Sequence, residues 1–169
     1  MTNPLSRISL KNPWHLLATG FGSGLSPIVP GTMGTLASLP FYLLLAHLSL
    51  PLYGLVVIAS CVIGVKICQV TSDDMGVHDH GSIVWDEFAG MWITMLVVPM
   101  FGLAVFDWKW LATGFVLFRF FDMVKPWPIG WLDKRVHGGL GIMLDDIVAG
   151  VMAGVALYLV GLYAGWLQA

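Results

Sequence analysis

The sequence predicts an all-α fold, a polytopic membrane helical bundle of about four to five apolar helices with additional short cytoplasmic helices. Three observations predict it. The chain is 57% hydrophobic and only 11% charged over 169 residues, with a mean hydropathy of +0.83. A soluble domain carries about 25% charged residues. The apolar residues gather into separate runs, several near the ~20 residues with which a helix crosses ~30 Å of hydrocarbon. Eight Trp and nine Phe suit both a core and an interfacial belt. The length fits a single membrane-embedded domain, residues 1–169. A net charge of -2 leaves no footprint for nucleic acid.

Taken in order, MTNPLSRISLKNPW carries Arg7 and Lys11 with no apolar stretch directly behind them. No signal peptide is therefore expected, and the first segment should stay in the membrane. The first run, Thr35–Leu50, is interrupted by Pro40. The second is Leu52–Val70, the third Phe88–Phe106, the fourth Trp110–Phe121 and the fifth Ile147–Leu167. The second, third and fifth are long enough to span. The first and fourth are expected to pack inside the bundle or to cross it partly. Only Pro51 parts the first two runs, which predicts a tight hairpin. Gly150, Gly154, Gly161 and Gly165 repeat at the spacing that suits close helix contact in lipid. Cys61 and Cys68 lie about two turns apart, too far for a bridge within one helix, and read as small buried side chains.

If all five runs cross, the region up to Gly34 and the loops Thr71–Glu87 and Asp122–Asp146 share one side. That side holds Arg7, Lys11, Lys125, Lys134 and Arg135, with Lys66 near it, while the other keeps Lys109. The positive-inside rule makes the richer side cytoplasmic. Every acid except Asp107 falls in or beside the two cytoplasmic loops. Acids repel anionic headgroups, so a cluster of them calls for a counter-charge, and a divalent cation supplies one.

Four stretches carry candidate chemistry. In SIVWDEFAGMWI, Asp86 and Glu87 precede the third run; they read as helix-capping acids or as oxygen ligands suited to Mg²⁺. In FRFFDMVKPWPI, Arg119, Asp122 and Lys125 fall on neighbouring faces of one helix end, stopped by Pro126. This is an ion-pair ladder or a phosphate grip, with Arg as a fork and Lys as a point charge. In GGLGIMLDDIVAG, Asp145 and Asp146 stand at the mouth of the last run, mirroring the first pair. GFGSGLSPIVPGTMG could turn backbone N–H groups toward a phosphate or form a re-entrant turn, and it lacks the Walker ending. DDMGVHDHG, with His78 and His80 among Asp73, Asp74 and Asp79, reads as a solvated loop without metal-ligand spacing.

PGTMGTLASLP, IVWDEFAGMWI, FRFFDMVKPWPI and GGLGIMLDDIVAG together, in this order, resemble bacterial phosphatidylglycerophosphatase A from about Asn12 to about Leu167. The resemblance implies a Mg²⁺-dependent, multi-pass phosphatase of the bacterial inner membrane. Its implied substrate is phosphatidylglycerophosphate, its products phosphatidylglycerol and phosphate. By motif, Asp86 and Glu87, Asp145 and Asp146, and Asp122 match the acidic positions. Arg119 and Lys125 match the basic ones, and Gly31 and Thr32 the glycine turn. The expected arrangement has Asp86, Glu87, Asp122 and one of the closing pair, Asp146 being favoured, holding one or two Mg²⁺. Arg119 and Lys125, with Gly31 and Thr32, hold phosphate oxygens, and the remaining carboxylate takes a proton from water. The site faces the cytoplasm. The alternatives are a phosphatase for another lipid or polyprenyl phosphate, and a non-enzymatic membrane assembly protein.

Overall fold

A computed structural model of the chain describes residues 3–168, and these contain helices and no strands. A 3₁₀ turn, Pro4–Arg7, leads to α1, Pro13–Ala18, whose start is set by Asn12 accepting from the Trp14 N–H and by Pro13 in the first turn. A second 3₁₀ turn, Ser23–Leu25, precedes α2, Pro30–Leu45. The remaining helices are α3, Leu50–Met75; α4, Trp85–Met95; α5, Val97–Met100; α6, Trp108–Val124; α7, Ile129–Asp133; and α8, Gly138–Tyr163. A 3₁₀ turn, Trp166–Gln168, follows.

Two helices, α3 and α8, are long and apolar enough to cross a membrane, with mean hydropathies of 2.1 and 1.9 over their best windows. They correspond to the second and fifth runs. The third run is not one long helix. It breaks at Leu96 into α4 and the single turn α5, and ends in a loop through Gly102. Pro99 accounts for the break, since its ring opposes the carbonyl of Met95 four residues back. α2 starts at Pro30, five residues before the first run, so Gly31 and Thr32 lie in a helical first turn rather than a loop. α8 starts nine residues before the fifth run, which places Asp145 and Asp146 two turns inside the helix instead of at its mouth. The hairpin between α2 and α3 turns over Ala46–Ser49, and Pro51 belongs to the first turn of α3.

α4 is the hub, packed against α2, α3, α6 and α8, with every residue from Ile83 to Trp92 buried. Polar groups on this central helix reach the backbones of its neighbours. Trp92 Nε1 donates to the Ser38 carbonyl of α2 at 3.0 Å. Tyr53 Oη of α3 donates to the Trp92 carbonyl at 2.7 Å, and Trp85 Nε1 donates to Ser60 O of α3 at 3.2 Å. Thr94 Oγ1 donates to Gly150 O of α8 at 3.2 Å. α4 and α8 cross where glycine faces glycine: a Cβ on Gly150 would stand 2.5 Å from the Gly90 carbonyl oxygen. Only paired glycines allow that approach, and it carries the acidic turn of α4 beside the acidic turn of α8.

Candidate metal and phosphate site

Asp86 and Glu87 occupy the first turn of α4, and Asp146 the third turn of α8. Because α4 and α8 approach so closely, one carboxylate oxygen from each of the three lies within 4.8 Å of the others. All three residues are at most 8% exposed. Asp86 Oδ1, Glu87 Oε2 and Asp146 Oδ2 are buried without a hydrogen-bond partner. Buried polar atoms are ordinarily paired, and three clustered carboxylates that each keep a buried, unpaired oxygen fit a hard divalent cation, which takes oxygen ligands. The structure thus contains an acidic site capable of holding a metal.

The electrostatics agree. Burial pushes the Asp86 carboxyl well above the usual carboxylate range, and the negative charge of Glu87 adds to it. Glu87 is raised in the same way, by burial first and then by Asp146. Arg119, near the C-terminal end of α6, supplies the adjacent positive charge. Its Nη1 lies 2.6 Å from Asp122 Oδ2 and 3.7 Å from Glu87 Oε1, and donates to Thr35 Oγ1 at 3.5 Å. Its Nε is buried and unpartnered, leaving one donor free. The first turn of α2 closes this corner. A Cβ on Gly31 would meet the Glu87 carboxylate and stand 3.2 Å from the Arg119 guanidinium. Glycine keeps that space open, and first-turn N–H groups of a helix have no partner within the helix. Thr32 sits beside Gly31, half-buried.

Asp145 faces elsewhere. Consecutive residues of a helix project about 100° apart, and where Asp146 turns toward α4, Asp145 turns toward the end of α6. Lys125 Nζ donates to Asp145 Oδ2 at 2.5 Å and to Asp133 Oδ1 of α7 at 2.8 Å. Burial works against the Lys125 charge, but these two hydrogen bonds and the charges behind them outweigh it and raise its pKa above the ordinary lysine range. Lys125 itself closes α6 in a left-handed conformation, φ +46°. The expected residues therefore fall into two neighbouring groups. Asp86, Glu87, Asp146, Asp122, Arg119 and Gly31 form one, and Lys125 and Asp145 the other.

Three further residues bear on the site. Thr35 holds Arg119, Asp133 shares Lys125, and the charge of Asp79 reaches Asp86. The spacing of Gly31 and Thr35 on one helix face could have suggested the first; nothing local pointed to the others. His78 and His80 are engaged with backbone: His78 Nε2 accepts from the Gly138 N–H at 2.8 Å, and His80 Nδ1 accepts from Ser82 N–H at 3.2 Å.

The sequence model of the family described as phosphatidylglycerophosphatase A matches residues 16–161, a span that includes every residue of both groups. The chain belongs to the phosphatidylglycerophosphatase A family. Phosphatidylglycerophosphatase A of Escherichia coli strain K12 is 62% identical over 156 residues, covering 92% of this chain and 88% of that protein. Phosphatidylglycerophosphatase A of Haemophilus influenzae is 46% identical over 157 residues, covering 92% and 93%. No solved structure matches the chain. Membership of a phosphatase family accords with a metal at the acidic trio.

Proposed function

We propose that this chain removes the terminal phosphate monoester of phosphatidylglycerophosphate, giving phosphatidylglycerol and phosphate, with Mg²⁺ as its cation. The observation that carries the reading is the meeting of Asp86, Glu87 and Asp146 around unpaired oxygens beside an Arg119 with a free donor. Asp86, Glu87 and Asp146 hold the cation; Asp122, expected from its motif to be a fourth ligand, instead pairs with Arg119 beside them. When bound, the cation supplies charge neutralisation and Lewis acidity at the phosphoryl oxygens. Arg119 binds a phosphate oxygen with its guanidinium fork, and Asp122 fixes the direction of that fork. The free N–H groups of Gly31 and Thr32 face the anion at the positive end of α2. Lys125 pairs with Asp145 and with Asp133 and so ties α7 to α8; its charge also favours an approaching anionic headgroup. A carboxylate of the cluster takes the proton of the attacking water.

In the membrane arrangement we propose, the packed helices form a multi-pass bundle in a bacterial inner membrane, and the site opens at its cytoplasmic rim. Buried acids in the cytoplasmic turns of these helices then meet lipid phosphates without lifting the lipid out of its leaflet. The test is phosphate release from phosphatidylglycerophosphate in detergent, with Mg²⁺ and with a chelator. Release with Mg²⁺ and none with chelator is expected. Chelator-resistant release would remove the metal from the reading. Release from other lipid phosphates but not from this one would remove the substrate.

A further inference from the structure

An apolar groove of about 360 Å³ runs between α2 and α6, lined by Leu36 and Leu39 on one wall and Trp108, Leu111, Ala112, Phe115 and Val116 on the other. Its position is set by helix geometry. Val116, Phe115, Ala112, Leu111 and Trp108 stand three, four, seven, eight and eleven residues before Arg119, so they form one stripe that descends from the guanidinium. On α2, Leu36 follows Thr35, which bonds Arg119, and lies a little over one turn beyond Gly31. The groove thus lies on the same two helices as the phosphate corner, within about a turn of it, and is apolar along its length.

We infer that this groove holds one acyl chain of the lipid substrate while the headgroup occupies the acidic site; the inference rests on the lipid phosphatase reading above. A lipid chain gains little affinity by leaving other chains for an equally apolar groove. What the groove contributes is position: a chain lodged between α2 and α6 brings its phosphate to Arg119 in one register, and register governs rate. The levels along the groove differ in consequence. Val116 lies about 4.5 Å below Arg119 along the axis and Ala112 about 10 Å below. Two glycerol units and a phosphodiester separate the reacting phosphate from the acyl chains, so any acyl chain in the groove runs past the level of Ala112, whereas a deacylated substrate places nothing there.

The experiment compares dipalmitoyl phosphatidylglycerophosphate with its deacylated headgroup, glycerophosphoglycerophosphate, in detergent micelles with Mg²⁺. Ala112 and Val116 are both exposed, so larger side chains there are compatible with folding. In Ala112→Phe the ratio of kcat/KM for the acylated over the deacylated substrate falls about tenfold, and in Val116→Trp both substrates slow together. Val62→Phe, on the exposed face of α3 and away from the groove, keeps the wild-type ratio. An unchanged ratio in Ala112→Phe, or an equal fall in Val62→Phe, overturns the groove assignment. A wild-type protein inactive on both substrates instead overturns the function on which it rests.

Discussion

Asp145 and Asp146 are neighbours of one type in one motif, yet they meet different partners. Asp146 clusters with Asp86 and Glu87 and keeps one oxygen unpaired, while Asp145 is held by Lys125. Their substitutions should separate. Asp146→Asn is expected to lower Mg²⁺-dependent phosphate release by ~10²-fold or more, and Asp145→Asn by about tenfold, as for a residue that orients others. Equal losses in a phosphate-release assay would contradict the division. The raised carboxyl groups of Asp86 and Glu87 give a second prediction. Their folded values lie above their unfolded ones, so the metal-free fold binds more protons than the unfolded chain. Stability from these groups is full below about pH 4 and is lost as pH rises through the raised values. Cation binding opposes that loss, because it requires the ionised form. The gap in Tm between Mg²⁺-loaded and chelated protein should therefore widen from pH 5.5 to pH 8, measured by thermal denaturation in detergent.

Among the helices, the α4–α8 crossing decides whether there is a site at all. A Cβ on Gly90 would stand 2.5 Å from the Phe118 ring and 2.9 Å from the Asp146 carbonyl oxygen. Gly90→Ala should cost roughly 1–3 kcal/mol of stability by forcing these helices apart, with activity falling alongside, read by denaturation and phosphate release together. Gly31→Ala should behave differently. Its Cβ would press on the ends of two flexible side chains, Glu87 and Arg119, which can yield. Little loss of Tm is expected, but activity should fall about tenfold as the corner fills. A large Tm loss in Gly31→Ala with normal activity in the folded fraction would show that this glycine serves packing alone. The helix boundaries follow the same logic. Gly138, Gly139 and Gly141 resemble a loop in composition, yet they open α8, because a Cβ on Gly139 would collide with the backbone of α3 at Val65 and Gln69.

For the molecule as a whole, two helices meet the requirements of a crossing, and the shorter, more buried α4 is enclosed by its neighbours. The proposed multi-pass topology places the α3–α4 loop and the α7–α8 connection on one side. Single cysteines at Asp79 and Lys134 should both label from the cytoplasmic face and resist an impermeant reagent added to intact cells. Labelling of one position from outside would separate the two loops and sever Asp79 from the site that its charge reaches. The structure itself already joins these loops, since His78 accepts a hydrogen bond from the first residue of α8.

Composition and motif order alone determined that the chain is helical, apolar and supplied with paired carboxylates beside basic residues. Residue type and linear spacing carry that information, because lipid selects apolar runs and hard cations select oxygen ligands. Which of the paired acids shares a space with which, where α8 begins, and that the third run breaks around a central helix were decided by tertiary structure. Those outcomes depend on how closely two helix backbones can approach, and that distance is set by glycines and ring packing some sixty residues apart in the chain.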